Sequence, residues 1–193
     1  MTWPEDLAEA LTNREYYAKA YHTFLLETYT PPDRQKSDLQ IIPIRAAYAQ
    51  ARQFYRRRAV TESRADHELA EHLADTRIDL LDEPRLSVLL GRLDGRPVGV
   101  AGVVTLGNIG VIDPAFTDPD YRGQGIARSL MAHVLEHCQR ALFESVILRR
   151  SEGCWSIPFY ESLGFRRVTS FTSFRSADSG PRPAQRVSPR TSP

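Results

Sequence analysis

Residues 118–129 form a glycine-bearing turn between two regular elements, and this turn is the stretch of the chain best suited to bind a ligand. The preceding segment, Ile109–Thr117, has the composition of a strand, and apolar residues after the turn recur at helical spacing. A strand-to-helix turn directs the free N–H groups of the first helical residues, and the positive end of the helix dipole, at one point. Gly123 and Gly125 have no Cβ, so their backbone can adopt left-handed angles and approach a ligand closely. The turn therefore predicts an anion site, with phosphate as the favoured ligand.

Three kinds of phosphate-binding loop share this layout, and the sequence separates them. A P-loop requires a lysine after its last glycine, and no lysine follows Gly125. The dinucleotide fingerprint requires a third glycine where this chain has Arg128. That fingerprint also lies at the start of its fold, whereas more than a hundred residues precede this turn. Residues 122–127, Arg-Gly-Gln-Gly-Ile-Ala, resemble instead the R/Q-x-x-G-x-G/A loop that binds the acyl-CoA pyrophosphate in the GNAT superfamily of N-acetyltransferases. Residues 159–165, Phe-Tyr-Glu-Ser-Leu-Gly-Phe, are similar to the later Y-x-x-x-G-F motif of that family.

The resemblance implies acetyl-CoA as the co-substrate, with its pyrophosphate on the turn and its pantetheine along the preceding strand, whose end would polarise the thioester carbonyl. Pro114 cannot donate to a ladder, which is consistent with the bulge where the family separates this strand from the next; the alternative is an ordinary edge-strand proline. Gly153 departs from the family pattern, because an asparagine that contacts pantetheine often stands there. The residues expected to contact acetyl-CoA are Phe116, Thr117, Arg122, Gly123, Gln124, Gly125, Ile126, Ala127 and Arg128.

Two side chains are candidates for the proton transfers of acyl transfer. By the resemblance, Tyr160 is the general acid that protonates the departing thiolate; the alternative is a core tyrosine packed beside Phe159 and Phe165. Asp113 is the only carboxylate in Ile109–Thr117 and is the candidate general base, with a solvated strand end as the alternative. A base is needed for a lysine-like amine, which costs about 4–5 kcal/mol to deprotonate at pH 7, and is optional for an α-amino group, which costs about 1 kcal/mol.

Composition limits the class of protein. The chain has 193 residues, of which 41% are hydrophobic, and this is enough for one domain with its own core. A net charge of +1 argues against nucleic acid as the partner. The sequence contains no signal-peptide pattern, no apolar run of membrane-spanning length and only two cysteines, so we expect a cytoplasmic protein without a membrane partner. His133 and His137 share a helix face but lack a third ligand, so no metal is expected.

Hydrophobic periodicity and turn residues predict an α/β (α+β) fold with the order β-α-α-β-β-β-α-β-α-β, and the resemblance implies a mixed, largely antiparallel central sheet flanked by helices. We expect residues 1–36 to form an N-terminal helical extension and linker, residues 37–175 the acyltransferase domain, and residues 176–193 a disordered tail rich in Ser, Pro, Arg and Gly. A polar loop is expected at residues 60–65. The helical stripe predicted for the extension consists of Leu7, Leu11, Ala18, Tyr21 and Leu25.

The resulting hypothesis is an N-acetyltransferase that transfers the acetyl group of acetyl-CoA to a primary amine of a small molecule, peptide or protein. An alternative from another class is a catalytically silent acyl-CoA-binding module whose N-terminal helices contact a partner, or a second copy in a homodimer. An aminoacyl-tRNA acetylating toxin is a further alternative, because arginines cluster at 56–58, 149–150 and 166–167.

Overall fold

The computed structural model describes residues 11, 16–29, 31 and 38–176, and these fold around one seven-stranded open sheet. In chain order they form β1 (Tyr16–Leu26), β2 (Gln40–Pro43), α1 (Tyr48–Ser63), α2 (His67–Asp79), β3 (Leu86–Leu93), β4 (Arg96–Leu106), β5 (Ile109–Thr117), α3 (Ile126–Arg140), β6 (Ser145–Ser151), α4 (Ile157–Glu161) and β7 (Phe165–Ser176). The strand order is β2-β3-β4-β5-β6-β1-β7, and all neighbours are antiparallel except β5 and β6. The predicted mixed, largely antiparallel sheet with flanking helices is confirmed.

Helices cover both faces of the sheet. On one face, α1 and α2 pack against β3 and β4 through a core that includes Phe54, Leu90 and Val100. On the other face, α3 buries the apolar stripe that the sequence predicted, which consists of Ile126, Leu130, Met131, Val134, Leu135 and Cys138. Leu142 follows at the same spacing but is 83% exposed, because the helix ends at Arg140. None of the helices in the described part of the chain is long and apolar enough to cross a membrane.

Strand β1 stands where the sequence predicted an N-terminal helix, so that prediction was wrong for Tyr16–Leu26. This segment lies between β6 and β7 and pairs with both. It is rich in aromatic residues, which favour strands, and its alternation buries His22 and Phe24 on one face. The spacing of apolar residues alone did not distinguish a helix from a strand here, because the strands that pair with this segment lie more than a hundred residues later in the chain. Apart from residues 11, 27–29 and 31, the rest of the predicted extension lies outside the described residues, as does the tail from residue 177.

Helix α1 continues to Ser63, through residues that were predicted to form a polar loop. Glu62 pairs with Arg58 one turn earlier at a nitrogen–oxygen distance of 3.1 Å. The Thr61 hydroxyl also donates to the Arg57 carbonyl at 2.8 Å. These polar side chains therefore support the helix, and the added turn brings Glu62 to the cavity described below.

Phe24 tests how far the core depends on β1. Its side chain is 1% exposed and packs between the sheet and α3. Phe24→Ala should therefore lower the free energy of unfolding by about 3–5 kcal/mol, measured by urea denaturation. Tyr17→Ala is the matched control, since it removes a ring from the same strand that is 43% exposed, and it should cost less than about 1 kcal/mol. Equal losses in the two variants would contradict the burial of β1.

Candidate active site

Strand β5 separates from β6 partway along its length. The two strands pair only between residues 109–111 and residues 145–147. On the opposite edge of β5, Asp113 and Pro114 together stand opposite Gly102 of β4, which is a β-bulge. A Cβ on Gly102 would lie 3.2 Å from Pro114 Cδ and 2.7 Å from a backbone oxygen of β3, so glycine permits this close approach. The bulge bends β5 and leaves its final residues without a strand partner on the β6 side. Of the two alternatives left open for Pro114, the structure shows the bulge.

A cavity of about 590 Å³ occupies the gap between these strands. This volume is in the range of small-molecule sites. Its walls come from β5, the glycine turn, α4 with the loop before it, and the facing sides of α1 and α2. Five arginines and two carboxylates line it, and this excess of positive charge favours an anionic ligand. The charged lining residues are Arg58, Arg77, Arg122, Arg128, Arg150, Glu62 and Asp113.

The glycine turn has the geometry that anion binding requires. Gly123 and Gly125 have φ angles of +76° and +80°, which only glycine adopts without strain. A Cβ at either position would meet no heavy atom within 4 Å, so the turn presents open surface. The ladder of α3 starts when the Ser129 N–H donates to the Gly125 carbonyl at 3.0 Å, and the N–H groups just before it have no helical acceptor. These donors, at the positive end of the helix dipole, suit a phosphate.

Eight of the nine residues predicted to contact acetyl-CoA line the cavity, while Gln124 is exposed beside it. The two arginines of the turn were expected to add charge near the phosphates, but each guanidinium also binds protein groups. Arg122 donates to the Thr117 carbonyl at 3.2 Å and stacks on Trp155 with 4.8 Å between the guanidinium carbon and the ring centroid. Arg128 donates to the Ser162 hydroxyl at 2.9 Å. These side chains therefore fasten the turn to the adjoining walls.

Tyr160 is a packed core residue whose side chain lines the cavity. It is 3% exposed, and its ring packs against Phe159 and Phe165 at centroid distances of 5.2 and 6.1 Å. Its hydroxyl oxygen accepts a hydrogen bond from Arg150, whose guanidinium also lies 4.5 Å from the ring centroid. Burial raises the pKa of Tyr160, and the opposing effect of Arg150 does not cancel it. The hydroxyl is consequently protonated at neutral pH.

Asp113 lies in the bulge of β5 with its side chain exposed to the cavity. Its negative charge contributes to the raised pKa of Tyr160 on one side and of Tyr55 on the other. Within residues 38–176 its carboxylate forms no hydrogen bond or ion pair, so it is available to a ligand. The structure thus brings together both side chains that the sequence proposed for proton transfer.

Several lining residues were not identified from the sequence. Arg150 and Arg77 come from elements that no local motif connects with the glycine turn. Trp155 is 72% exposed and lines the cavity, and its position five residues before Tyr160 was the signal in the sequence that could have identified it. As for metal ligands, the described residues contain no group of three or more His, Cys, Asp and Glu side chains that could hold an ion.

Comparison with known proteins identifies the family. Residues 44–165, well over half of the chain, match the sequence model of the acetyltransferase (GNAT) family. The chain belongs to the GNAT acetyltransferase family. The glycine turn, the gap between β5 and β6, and Tyr160 all fall within the matched range.

Two curated relatives and one solved structure illustrate the similarity. The chain is 39% identical over 79 residues to glucosamine 6-phosphate N-acetyltransferase of Trypanosoma brucei brucei, covering 37% of this chain and 52% of that protein. It is 36% identical over 66 residues to ribosomal protein bS18-alanine N-acetyltransferase of Escherichia coli K12, covering 34% of this chain and 40% of that protein. The chain thus spans about half or less of the length of these relatives. The crystal structure of the Escherichia coli ribosomal-protein-S18-alanine N-acetyltransferase matches with a TM-score of 0.54 at 20% identity, over 68% of this chain and 79% of that chain, and this shows a shared fold.

Gly125 tests whether the turn binds acetyl-CoA. Gly125→Glu places a side chain and a negative charge at the anion site, and it should weaken acetyl-CoA binding by at least about 100-fold, measured by calorimetry, because two or three N–H bonds of about 1.5–3 kcal/mol each are lost. Gly95→Glu is the matched control, because Gly95 has a φ of +75° and equally open surroundings but lies in the β3–β4 hairpin. Both variants should lose similar stability, and only the first should lose binding. Unchanged acetyl-CoA affinity in Gly125→Glu would refute the assignment.

Proposed function

We propose that this protein is an N-acetyltransferase that transfers the acetyl group of acetyl-CoA to a primary amine. The observation that carries the proposal is the gap between β5 and β6, which is bordered by the open glycine turn and by the Tyr160 hydroxyl. When bound, acetyl-CoA would supply an activated acetyl thioester with a thiol leaving group. The remaining requirements are binding, polarisation of the carbonyl and two proton transfers, and residues of this chain can meet each of them.

The residues present fit acetyl-CoA at two places. The N–H groups of Gly125 to Arg128 would hold the pyrophosphate, and they contribute more than an exposed arginine because they are fixed and charge-assisted. The Thr117 hydroxyl is buried without a hydrogen-bond partner and lines the gap, so a ligand there would satisfy it. Phe116 and Thr117 border the gap where β5 has no strand neighbour, and backbone groups there would polarise the thioester carbonyl.

The proton transfers can be assigned to the two titratable side chains of the gap. A C–N bond forms and a C–S bond breaks, so the attacking amine must lose a proton and the sulfur must gain one. Asp113 would receive the proton from the amine, and the Tyr160 hydroxyl would donate its proton to the sulfur. Because burial raises the pKa of the Tyr160 phenol and a thiol has a pKa near ~8.5, the donation is uphill. Arg150, already bound to the Tyr160 oxygen, would stabilise the negative charge that remains there.

The two curated relatives support amine acetylation without indicating one acceptor. One is named for glucosamine 6-phosphate and the other for an alanine of ribosomal protein bS18. These are primary amines from different chemical classes. What the two relatives have in common is that both are named as N-acetyltransferases.

One arginine of each cluster that suggested a tRNA substrate is paired with a group of the protein itself. Arg56 pairs with Glu71 at 3.2 Å, and Arg166 pairs with Glu27 at 2.6 Å. Arg150 is bound to Tyr160 inside the cavity. These contacts favour a small amine over tRNA as the acceptor.

The proposal is tested by incubating the protein with acetyl-CoA and a panel of primary amines. Thiol release and the N-acetyl product are both measured, the latter by mass spectrometry. We expect amine-dependent release of one thiol for each acetylated amine. Acetyl-CoA binding without turnover of any amine would instead favour the silent binding module, and salt-dependent binding of tRNA would revive the toxin hypothesis.

Tyr160→Phe keeps the packed ring and removes only the hydroxyl. We expect kcat to fall by about 10²–10⁴-fold, with acetyl-CoA affinity nearly unchanged. Tyr29→Phe is the control, because it removes another buried hydroxyl, one that makes no hydrogen bond, and it should leave kcat unaltered. If Tyr160→Phe has the kcat of the unmodified protein where chemistry is rate-limiting, water and not Tyr160 supplies the proton.

Asp113→Asn tests the general base through pH dependence. With an amine of pKa near ~10.4, the variant should be about 10²-fold slower at pH 7, and the deficit should shrink toward pH 10, where the amine loses its proton without help. Asp120→Asn, which neutralises an exposed carboxylate of the turn, is the control. A deficit that is constant from pH 7 to pH 10 would exclude Asp113 as the base.

A further inference from the structure

Most charges that line the cavity are already paired with protein groups. Glu62 pairs with Arg58 at 3.1 Å and with Arg122 at 3.4 Å, so this carboxylate is occupied. Arg128 and Arg150 donate to the hydroxyls of Ser162 and Tyr160, respectively. Four of the five arginines and one of the two carboxylates are thereby accounted for.

The remaining two charges are opposite in sign and unpaired. Arg77, in the last turn of α2, and Asp113, in the bulge of β5, both line the cavity. Neither forms an ion pair or hydrogen bond with any residue of the described ranges, and they do not pair with each other. The fold thus places Arg77 and Asp113 in one cavity without an ion pair between them.

Arg77 and Asp113 both line the cavity, and both lie close enough to the buried Tyr55 side chain to act on it electrostatically. Burial raises the pKa of Tyr55 to about 12; the charge of Arg77 acts to lower it and that of Asp113 to raise it. Asp113 also acts on Tyr160, the side chain that borders the reacting sulfur in the proposed mechanism. The unpaired charges therefore lie beside the chemistry.

This region is distant from the glycine turn. Residues of a regular strand advance about 3.3 Å each, so Asp113, in the bulge, lies at most about 13 Å before Thr117, which leads into the turn. The pyrophosphate would occupy the turn, and Arg77 lies on the α2 side of the other region. Its charge is therefore available to the second substrate.

We propose that the acceptor is a small primary amine that also carries an anionic group, either phosphate or carboxylate, with Asp113 facing the ammonium and Arg77 facing the anion. The inference rests on the proposed N-acetyltransferase function. A guanidinium forms two parallel hydrogen bonds with a phosphate or carboxylate. Arg77 is exposed, so an amine without the anion would lose these hydrogen bonds and their contribution to binding, and the site discriminates against it to that extent.

Matched amines that differ only in the anion test this inference. The pairs are 2-aminoethyl phosphate with ethanolamine for phosphate, and β-alanine with β-alaninamide for carboxylate. At saturating acetyl-CoA, we expect kcat/KM to favour the anionic member of at least one pair by 10-fold or more, on the order expected for a charge-assisted bidentate contact. The pair with the larger ratio identifies the anion. Equal kcat/KM within both pairs would overturn the inference.

Variants of Arg77 identify the residue responsible. Arg77→Gln should raise KM for the anionic amine by about 10–100-fold, while kcat, the KM for acetyl-CoA and turnover of the neutral amine stay unchanged. Arg77→Lys keeps the charge and should retain part of the preference. Arg96→Gln, which removes an exposed arginine at the start of β4, is the control and should behave like the unmodified protein. A preference that persists in Arg77→Gln would overturn the role of Arg77.

Binding measured apart from turnover separates the two proposals. Calorimetry of 2-aminoethyl phosphate and β-alanine with the CoA-saturated protein detects the anion site directly. Arg77-dependent binding without acetylation of any amine would contradict the proposed function and support the anion site. Acetylation of amines regardless of their charge would support the function and contradict the anion site.

Discussion

The separation of β5 from β6 is the constraint on which the site depends. In a continuous sheet, the backbone groups at the end of β5 would pair with β6, and no ligand could enter between them. The bulge opposite Gly102 bends β5 away after residue 111 and turns Asp113 toward the gap. Because α3 starts just beyond the end of β5, the same departure directs the helix N-terminus at the gap. One local irregularity thus brings the phosphate donors, the base candidate and Tyr160 to one cavity.

The charged side chains that line the cavity fall into two groups: those paired with protein groups and those without a partner among the described residues. Arg58 and Arg122 share Glu62 and so join α1 to the turn, a role that requires the last turn of α1. Arg150 packs over the Tyr160 ring and binds its hydroxyl oxygen, while burial keeps the phenol protonated. These contacts hold the walls of the cavity together, and the backbone N–H groups at the start of α3 are the donors that we propose bind phosphate. Arg77 and Asp113, which have no partner among the described residues, are the side chains that we propose discriminate among acceptors.

The features that could be predicted from the sequence are those determined by residues close together in the chain. The glycine turn, the stripe of α3 and the Tyr160 motif depend on residues close in the chain, and the structure has the turn, the helix and the tyrosine beside one cavity. Strand β1 was not predictable in this way, because its partners β6 and β7 lie more than a hundred residues away. Arg77 was missed for the same reason, since only the packing of α2 against α1 and the sheet brings it to the cavity. The polar C-terminal end of α1 was predicted to be a loop, because the sequence does not show that Glu62 pairs with Arg58 in the helix and with Arg122 in the glycine turn.

A crystal structure of the protein with acetyl-CoA tests the central claim most directly. The account predicts the pyrophosphate against the N–H groups of Gly125 to Arg128, the pantetheine between β5 and β6, and the sulfur within hydrogen-bond reach of the Tyr160 hydroxyl. It also predicts that β5 and β6 remain apart with the ligand bound. Density for acetyl-CoA elsewhere on the molecule, or a pantetheine that does not enter the gap, would contradict it.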